Sequence, residues 1–497
     1  MKRISILFIA ALLTIIAQQI QAKDYQVADW GICADGISQN THAIQHAIDQ
    51  ISAEGGGRLI FPAGRYLTGS IYLKSGVTLH LERGAVLLGS ANPLDYDVHN
   101  NWPALVFSLN QKGIGITGQG EINGQGWTSA NNVVSLIHRG LLKDTFRYDR
   151  PDQWRHQNIY FLECEDITIR DITLRAPGSW TNTYERCKNV SVEGLKVDGN
   201  SFWNNDGIDI VDCDGVTIRN CWFDAADDVI CFKSHHPDYI CQNVVVDNCV
   251  GRSSANGVKF GTVSRGGFKN FKITNITIYN TYRSAVTFAA VDGAEIENIE
   301  VDGLRAINTG NIFFFVIGNR WSGGKKPYMR DITISNVYAE VPLGKPDPGY
   351  PFEGPIEDLP RNVSPSSIVG MPDIPIERMT LRNIEIVYPG DGDPFYAHVG
   401  TTPEELSKVP ERPDAYPEFS MFKELPAWGF YIRHAKDLTF DNVSIKALRK
   451  DYRVPIVLDD VHGITFHNLQ IAEPEPGNKE RIVSNRSSDI RIEEEAQ

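Results

Sequence analysis

The feature that most restricts how this chain can fold is a short phrase that recurs along it from about residue 159. Apolar and polar residues alternate, an Asn, Asp or Gly intervenes, and a second apolar pair follows. Copies occupy residues 166–174, 189–197, 215–223 and 243–250, and later ones begin at Asn270, Glu295, Arg330, Arg378, Lys436, Gly463 and Ser488. The first starts are 23, 26, 28, 27 and 25 residues apart. Strand-like alternation at such a period indicates a solenoid. The copies are too short and too rich in β-branched residues to be helical pairs, and their turn residues sit at fixed offsets. A propeller blade needs roughly 40 residues, and the leucine-rich signature is missing. The predicted fold is therefore all-β: a right-handed single-stranded parallel β-helix. Residues one period apart become lateral neighbours at about 4.8 Å.

The rest of the chain fits that frame. Residues 41–53 carry apolar positions at 44, 47, 48 and 51, the spacing of an amphipathic helix, with Asn40 or Thr41 as N-cap. This helix is predicted to cap the solenoid, whose strands begin by residue 59. Two wide gaps between late copies each hold about one coil plus an insertion, near 340–376 and 388–428. Both insertions are rich in Pro, aromatics and acids. Long loops on a solenoid wall a groove or cover the coil stack.

Residues 1–22 pair Lys2 and Arg3 with an apolar run over 4–17 and end in Ala22 before Lys23 and Asp24. This pattern predicts a signal peptide and export to the periplasm or medium, leaving residues 23–497 as the mature chain. The run is shorter than the roughly 20 residues that span a bilayer, so no membrane association of the mature form is expected. A net charge of −14 argues against nucleic acid or anionic membranes as partners. An acidic substrate would need local cations. The eight cysteines leave two readings open, one or two disulfides or stacked interior thiols, and their spacing shows no metal motif.

The densest acidic constellation is Asn204-Asn205-Asp206-Gly207-Ile208-Asp209, followed by Asp227-Asp228 and Lys233-Ser234. Asp206 precedes the Asp pair by 21 and 22 residues, one short coil, which sets three carboxylates side by side. Crowded carboxylates repel, so at least one holds its proton to higher pH. Hydrolysis of a glycosidic bond needs that division: a protonated acid for the leaving oxygen and ionised carboxylates for water. An acid and base roughly 6.5–9.5 Å apart would invert the anomeric centre. Asp212, Asp214, Asp224 and Asp247 read instead as turn caps.

These motifs resemble those of glycoside hydrolase family 28, the polygalacturonases and their relatives. Asn204-Asn205-Asp206-Gly207 is similar to the family's Asn-Thr-Asp-Gly, and Asp227-Asp228 with Lys233-Ser234 to its Asp-Asp motif. Further likeness runs through Gly178-Ser179-Trp180-Thr181, Ala28-Asp29-Trp30-Gly31 and the glycine-rich segment 55–64. The resemblance implies that Asp227 is the general acid, that Asp206 and Asp228 hold the attacking water, and that hydrolysis inverts without a cofactor or metal. The implied partner is a galacturonate-containing pectic polysaccharide or oligosaccharide, met by a monomer.

Two departures stand out. The family's Gly-His-Gly corresponds to Ala255-Asn256-Gly257, and its Arg-Ile-Lys to Thr287-Phe288-Ala289. A rhamnogalacturonan linkage or exo action therefore stands beside ordinary homogalacturonan cleavage. Candidate substrate contacts are Asn204, Lys233, His235, Asn256, Lys259 and Arg283, and Trp180, Trp203 and Trp321 read as sugar platforms or as packing. A β-helix polysaccharide lyase with carboxylate-held Ca²⁺, and a non-catalytic carbohydrate-binding solenoid, are the alternatives.

Overall fold

The computed structural model describes residues 23–143, 154–350, 362–396, 398–475 and 480–493. The expected signal peptide over 1–22 lies outside the described residues. The architecture is a right-handed parallel β-helix. A representative coil runs through Gln157–Leu162, Glu165–Arg170 and Thr173–Arg175, and the next through Asn182–Glu185, Lys188–Glu193 and Lys196–Gly199. Equivalent strands pair in parallel from coil to coil, and among the described strands only Val98–His99 pairs antiparallel, with the start of Trp102–Leu109.

The register explains why the phrase recurs. Ile167 pairs with Val190, Val190 with Val216, Val216 with Val244, and the column continues through Phe271, Ile299, Ile332, Met379, Leu438, Ile464 and Ile490. All of these point into one continuous apolar core. The residue before each must bend the chain, and Asp166, Asn189, Gly215, Asn243, Asn270 and Asn298 all adopt left-handed backbone with φ between 55° and 77°. Gly, Asn and Asp tolerate that conformation best, so they recur there. The lateral amides then bond to each other, as Asn298 Nδ2 does to Asn270 Oδ1 at 2.7 Å. The bend positions correct four of the sequence-based starts: the true equivalents are Asn298, Asp331, Asp437 and Asp489, in place of Glu295, Arg330, Lys436 and Ser488.

The capping helix α1 spans Thr41–Ala53 and buries Ile44, Ala47, Ile48 and Ile51 against the first strands. Asn40 occupies the N-cap, but its side chain bonds to Cys33 and Ser38 instead of the helix. A second helix, α2 (Gly126–His138), was not anticipated; it buries Ala130, Val133 and Ile137, and Ala130 packs with Phe202 and Ala226. All eight cysteines are free thiols, which decides against disulfides. Cys164, Cys187, Cys213 and Cys241 fall in successive coils of one ladder, and Cys187 N–H donates to Cys213 Sγ at 3.4 Å.

Candidate active site

Three strands set the site: β1 (Ile208–Val211), β2 (Ile230–Ser234) and β3 (Val258–Ser264). Ile208 pairs with Ile230 and Ile230 with Val258. Each strand is preceded at the same distance by Asp206, Asp228 and Asn256, which therefore stand on adjacent rungs. The backbone confirms the order: Gly207 N–H donates to Asp228 O at 2.8 Å, and Val229 N–H to Asn256 O at 2.9 Å. The lateral placement of Asp206 beside the Asp pair follows directly.

The three carboxylates differ in surroundings. Asp206 and Asp228 are each 3% exposed, whereas Asp227 is half-buried and reaches the open side. Asp227 Oδ2 accepts from Asn204 Nδ2 at 3.3 Å, and its Oδ1 accepts from the Asp228 N–H at 3.0 Å. Arg155, buried behind this loop, holds Asn204 Oδ1 at 3.1 Å and the Gly178 carbonyl at 3.0 Å. Asn205 turns inward and bonds to Ser179, Ser201 and Phe202, a purely structural role.

Two buried lysines neutralise the cluster. Lys259 Nζ lies 3.0 Å from Asp228 Oδ2, and Asn256 gives Asp228 Oδ1 both its backbone N–H at 3.1 Å and its Nδ2 at 2.8 Å. Thr287 in turn donates to Asn256 Oδ1 at 3.0 Å, so the residues standing where the family has cations form a neutral clamp on Asp228. Lys233 Nζ donates to Asp206 Oδ2 at 3.1 Å, to Cys231 Sγ at 3.0 Å, and to Asp209. Burial and the charge of Asp209 push the Asp206 carboxyl well above its ordinary value. Burial acts on Asp228 in the same sense, but Lys259, Lys233 and Asn256 outweigh it and hold that carboxyl below its ordinary value. One crowded carboxylate thus holds its proton to higher pH, but it is Asp206, whereas the acid that the resemblance implies is Asp227. Both lysines stay charged, since their acidic neighbours overcome the cost of burial.

Asp206, Asp228 and Cys231 each bring a ligand atom within 4.8 Å of the others. Lys233 and Lys259 donate into those same atoms. The positive charge that a cation would supply is already provided, so the group does not fit a metal.

The remaining candidates fall around this centre. His235 N–H and His236 N–H both donate to Asp212 Oδ2, at 3.0 and 3.1 Å, so Asp212 caps the turn as expected. Asp224 does not cap a turn: it forms a bidentate pair with Arg252 at 3.0 Å and accepts from Tyr350 Oη. His235 lies 6.5 Å from the Trp180 ring. Trp180 is sandwiched between Trp102, 4.4 Å away, and the Lys233 ammonium at 4.2 Å, while Trp203 joins the packing around Phe202. Trp321 is 55% exposed over Arg320. Arg283 is buried and paired with Glu418 of the second insertion.

Sequence reasoning missed three contributors. Asp209 is fully buried against Lys233, and Cys231 lies in register between Asp209 and Lys259. Asp209 lies three residues after Asp206 and in the same column as Cys231, which was a legible signal. Tyr416 places its ring 5.6 Å from Lys259 Nζ, brought there by a fold of the insertion that no local pattern announces.

Comparison with known proteins agrees with this geometry. Residues 57–285 match the sequence profile of Glycosyl hydrolases family 28. A "Probable polygalacturonase" of Vitis vinifera is 27% identical over 338 residues, 64% of this chain and 61% of the relative. An "Exo-poly-alpha-D-galacturonosidase" of Dickeya chrysanthemi is 27% identical over 259 residues, 43% of this chain and 42% of the relative. The chain thus spans less than two thirds of the length of either. The solved family 28 exopolygalacturonase of Yersinia enterocolitica shares the fold at a TM-score of 0.61 and 18% identity, over 95% of this chain and 78% of that one. With the profile match over residues 57–285, these relatives and the two acidic motifs on adjacent rungs, the chain is similar to glycosyl hydrolases family 28.

Proposed function

We propose that this protein is an inverting glycoside hydrolase that cleaves galacturonate-containing pectic polysaccharide or oligosaccharide, working inward from a chain end. The reading is carried by one observation: Asp206, Asp227 and Asp228 converge on one side of the coil stack, and only Asp227 is open to solvent. Asp227 donates its proton to the leaving oxygen, and Asp206 and Asp228 hold the attacking water. Water oxygen bonds to the anomeric carbon as the glycosidic C–O bond breaks, so the anomeric configuration inverts. Asn204 orients Asp227, Asn256 and Lys259 hold Asp228, and Lys233 holds Asp206. His235, partly exposed beside Trp180, borders the sugar-binding space, whereas Arg283 is buried against Glu418 and does not reach it.

Attack from a chain end is favoured by the second insertion. Its Leu406, Val409, Phe419, Phe422 and Leu425 pack on Ala289, Phe314, Val316, Val369 and Tyr431, covering the outer sheet face from the second to the fifth coil beyond Asp228. At about 4.8 Å per coil, a substrate lying along the axis meets this cover within roughly 10 Å. The names of the Dickeya and Yersinia relatives point the same way. A lyase reading is disfavoured because Lys233 and Lys259, the cations nearest the cluster, are both committed to carboxylates.

Export by the segment 1–22, action as a monomer in the periplasm or medium, and independence of cofactors complete the proposal on sequence grounds. No helix among the described residues is long and apolar enough to cross a membrane. Incubation of the mature chain with defined galacturonate and rhamnogalacturonan oligosaccharides, with products resolved by size, tests it. Saturated monosaccharide released smoothly is the expected result; an unsaturated, ultraviolet-absorbing product or no cleavage of either series overturns it.

A further inference from the structure

Two of the acids in this site are not equivalent as bases, and a fourth carboxylate makes the difference. An ionised carboxylate has about four lone-pair positions. On Asp228 three are taken up, by Asn256 N–H, Asn256 Nδ2 and Lys259 Nζ, and the Cys231 thiol only approaches the fourth, at 3.6 Å, which leaves room for one water. A carboxylate so largely satisfied, with an ammonium on one oxygen, has little tendency to accept another proton.

Asp206 is in the opposite position. Its Oδ2 receives one bond, from Lys233, and its Oδ1 is buried without a partner in the protein. Asp209, fully buried within hydrogen-bond reach of Asp206, competes for the same ammonium, and its Oδ2 is likewise without a partner. All three Lys233 N–H groups are used, on Asp206, Asp209 and Cys231. Lys259 and Asp228 balance each other, so two carboxylates share the single charge of Lys233. The groups facing Asp206 are thus Asp209, Asp227, Asp228, Cys231 and Lys233. Burying an excess negative charge is costly, and proton uptake relieves it.

We propose that Asp209 is a positioning residue that makes Asp206, and not Asp228, the carboxylate that takes the proton of the attacking water. This rests on the hydrolase reading above. In the step, the water O–H bond breaks and its proton goes to Asp206 Oδ1 while the water oxygen bonds to the anomeric carbon. The glycosidic C–O electron pair leaves on the departing oxygen, which takes the proton of Asp227. Asp228 remains ionised throughout and orients the water. The excess charge supplied by Asp209 raises the proton affinity of Asp206 towards the working pH, where a general base is most effective.

The test compares Asp209→Asn, which leaves Lys233 a carbonyl acceptor, with Lys233→Met in the full mature chain. With a defined galacturonate oligosaccharide, Asp209→Asn moves the acid limb of kcat/KM to lower pH by about one unit, and Lys233→Met moves it to higher pH. In Asp209→Asn, kcat at the plateau falls about tenfold with KM little changed. A purely structural role would not shift the two limbs in opposite directions, and limbs coincident with the parent's overturn the proposal. An infrared titration needs no substrate turnover. A protonated carboxyl band that persists above the ordinary carboxylate range in the parent, and is lost in Asp206→Asn, supports the assignment; its absence from the parent overturns it. If the parent hydrolyses nothing while the band is present, the hydrolase reading alone fails.

Discussion

Lys259 Nζ and Asp228 Oδ2 lie 3.0 Å apart on neighbouring coils, and both side chains are almost wholly withdrawn from water. The pair exists because Cys231 registers with Lys259, which puts the lysine one rung beyond the acid. A buried ion pair of this kind is valuable mainly when intact, since removal of one partner strands the other. Lys259→Met is therefore expected to lower stability by about 3–5 kcal/mol. Urea midpoints of parent and variant measure this, and an unchanged midpoint would contradict the buried pairing.

Asp227 is the acid whose loss is expected to be felt in chemistry and not in folding, because it is half-buried and supports only Asn204 and one backbone N–H. Asp227→Asn is expected to reduce kcat by about 10²- to 10⁴-fold while leaving the thermal midpoint within a degree or two. Reducing-sugar release and calorimetry on the same preparation give the two readings. The anomer first formed by the parent, followed by proton NMR, is expected to be inverted.

The shifts of Asp206 and Asp228 have opposite consequences for stability. Asp206 is raised, so between the ordinary carboxylate range and its own value the folded chain binds more protons than the unfolded one, and stability falls as pH rises through that window. Asp228 is lowered, so its contribution is complete above the ordinary value and is lost as pH falls through its folded value. Urea midpoints as a function of pH are expected to decline less steeply above the ordinary range in Asp206→Asn than in the parent.

The second insertion is held to the sheet by its own apolar core, in which Phe422 is 1% exposed and lies 6.3 Å from Phe314. Phe422→Ala is expected to weaken this packing by about 3–5 kcal/mol, a cost that falls on the insertion before the coils. Limited proteolysis is then expected to cut within residues 389–426 faster than in the parent. Product analysis is expected to show larger fragments alongside monosaccharide as the end of the cleft opens.

The sequence by itself determined the coil and the core of the site. Asn189, Asn243 and Asn270 mark bends, alternation marks strands, and because the coil stack turns one period of chain into one lateral step, a separation of 22 residues already places Asp206 beside Asp228. What only the tertiary structure decided is everything that depends on which side chain meets which across coils or from an insertion. Asn256 taking over Asp228, Lys233 divided between Asp206 and Asp209, and Arg283 engaged by Glu418 more than a hundred residues later all belong here. The slips at Glu295 and Arg330 have the same origin, since coil length varies with loop length and only hydrogen-bonded register sets it. Local periodicity is dictated by backbone sterics that each residue feels alone. Proton affinity is dictated by burial and by neighbouring charge, and a chain acquires those only when distant segments close upon one another.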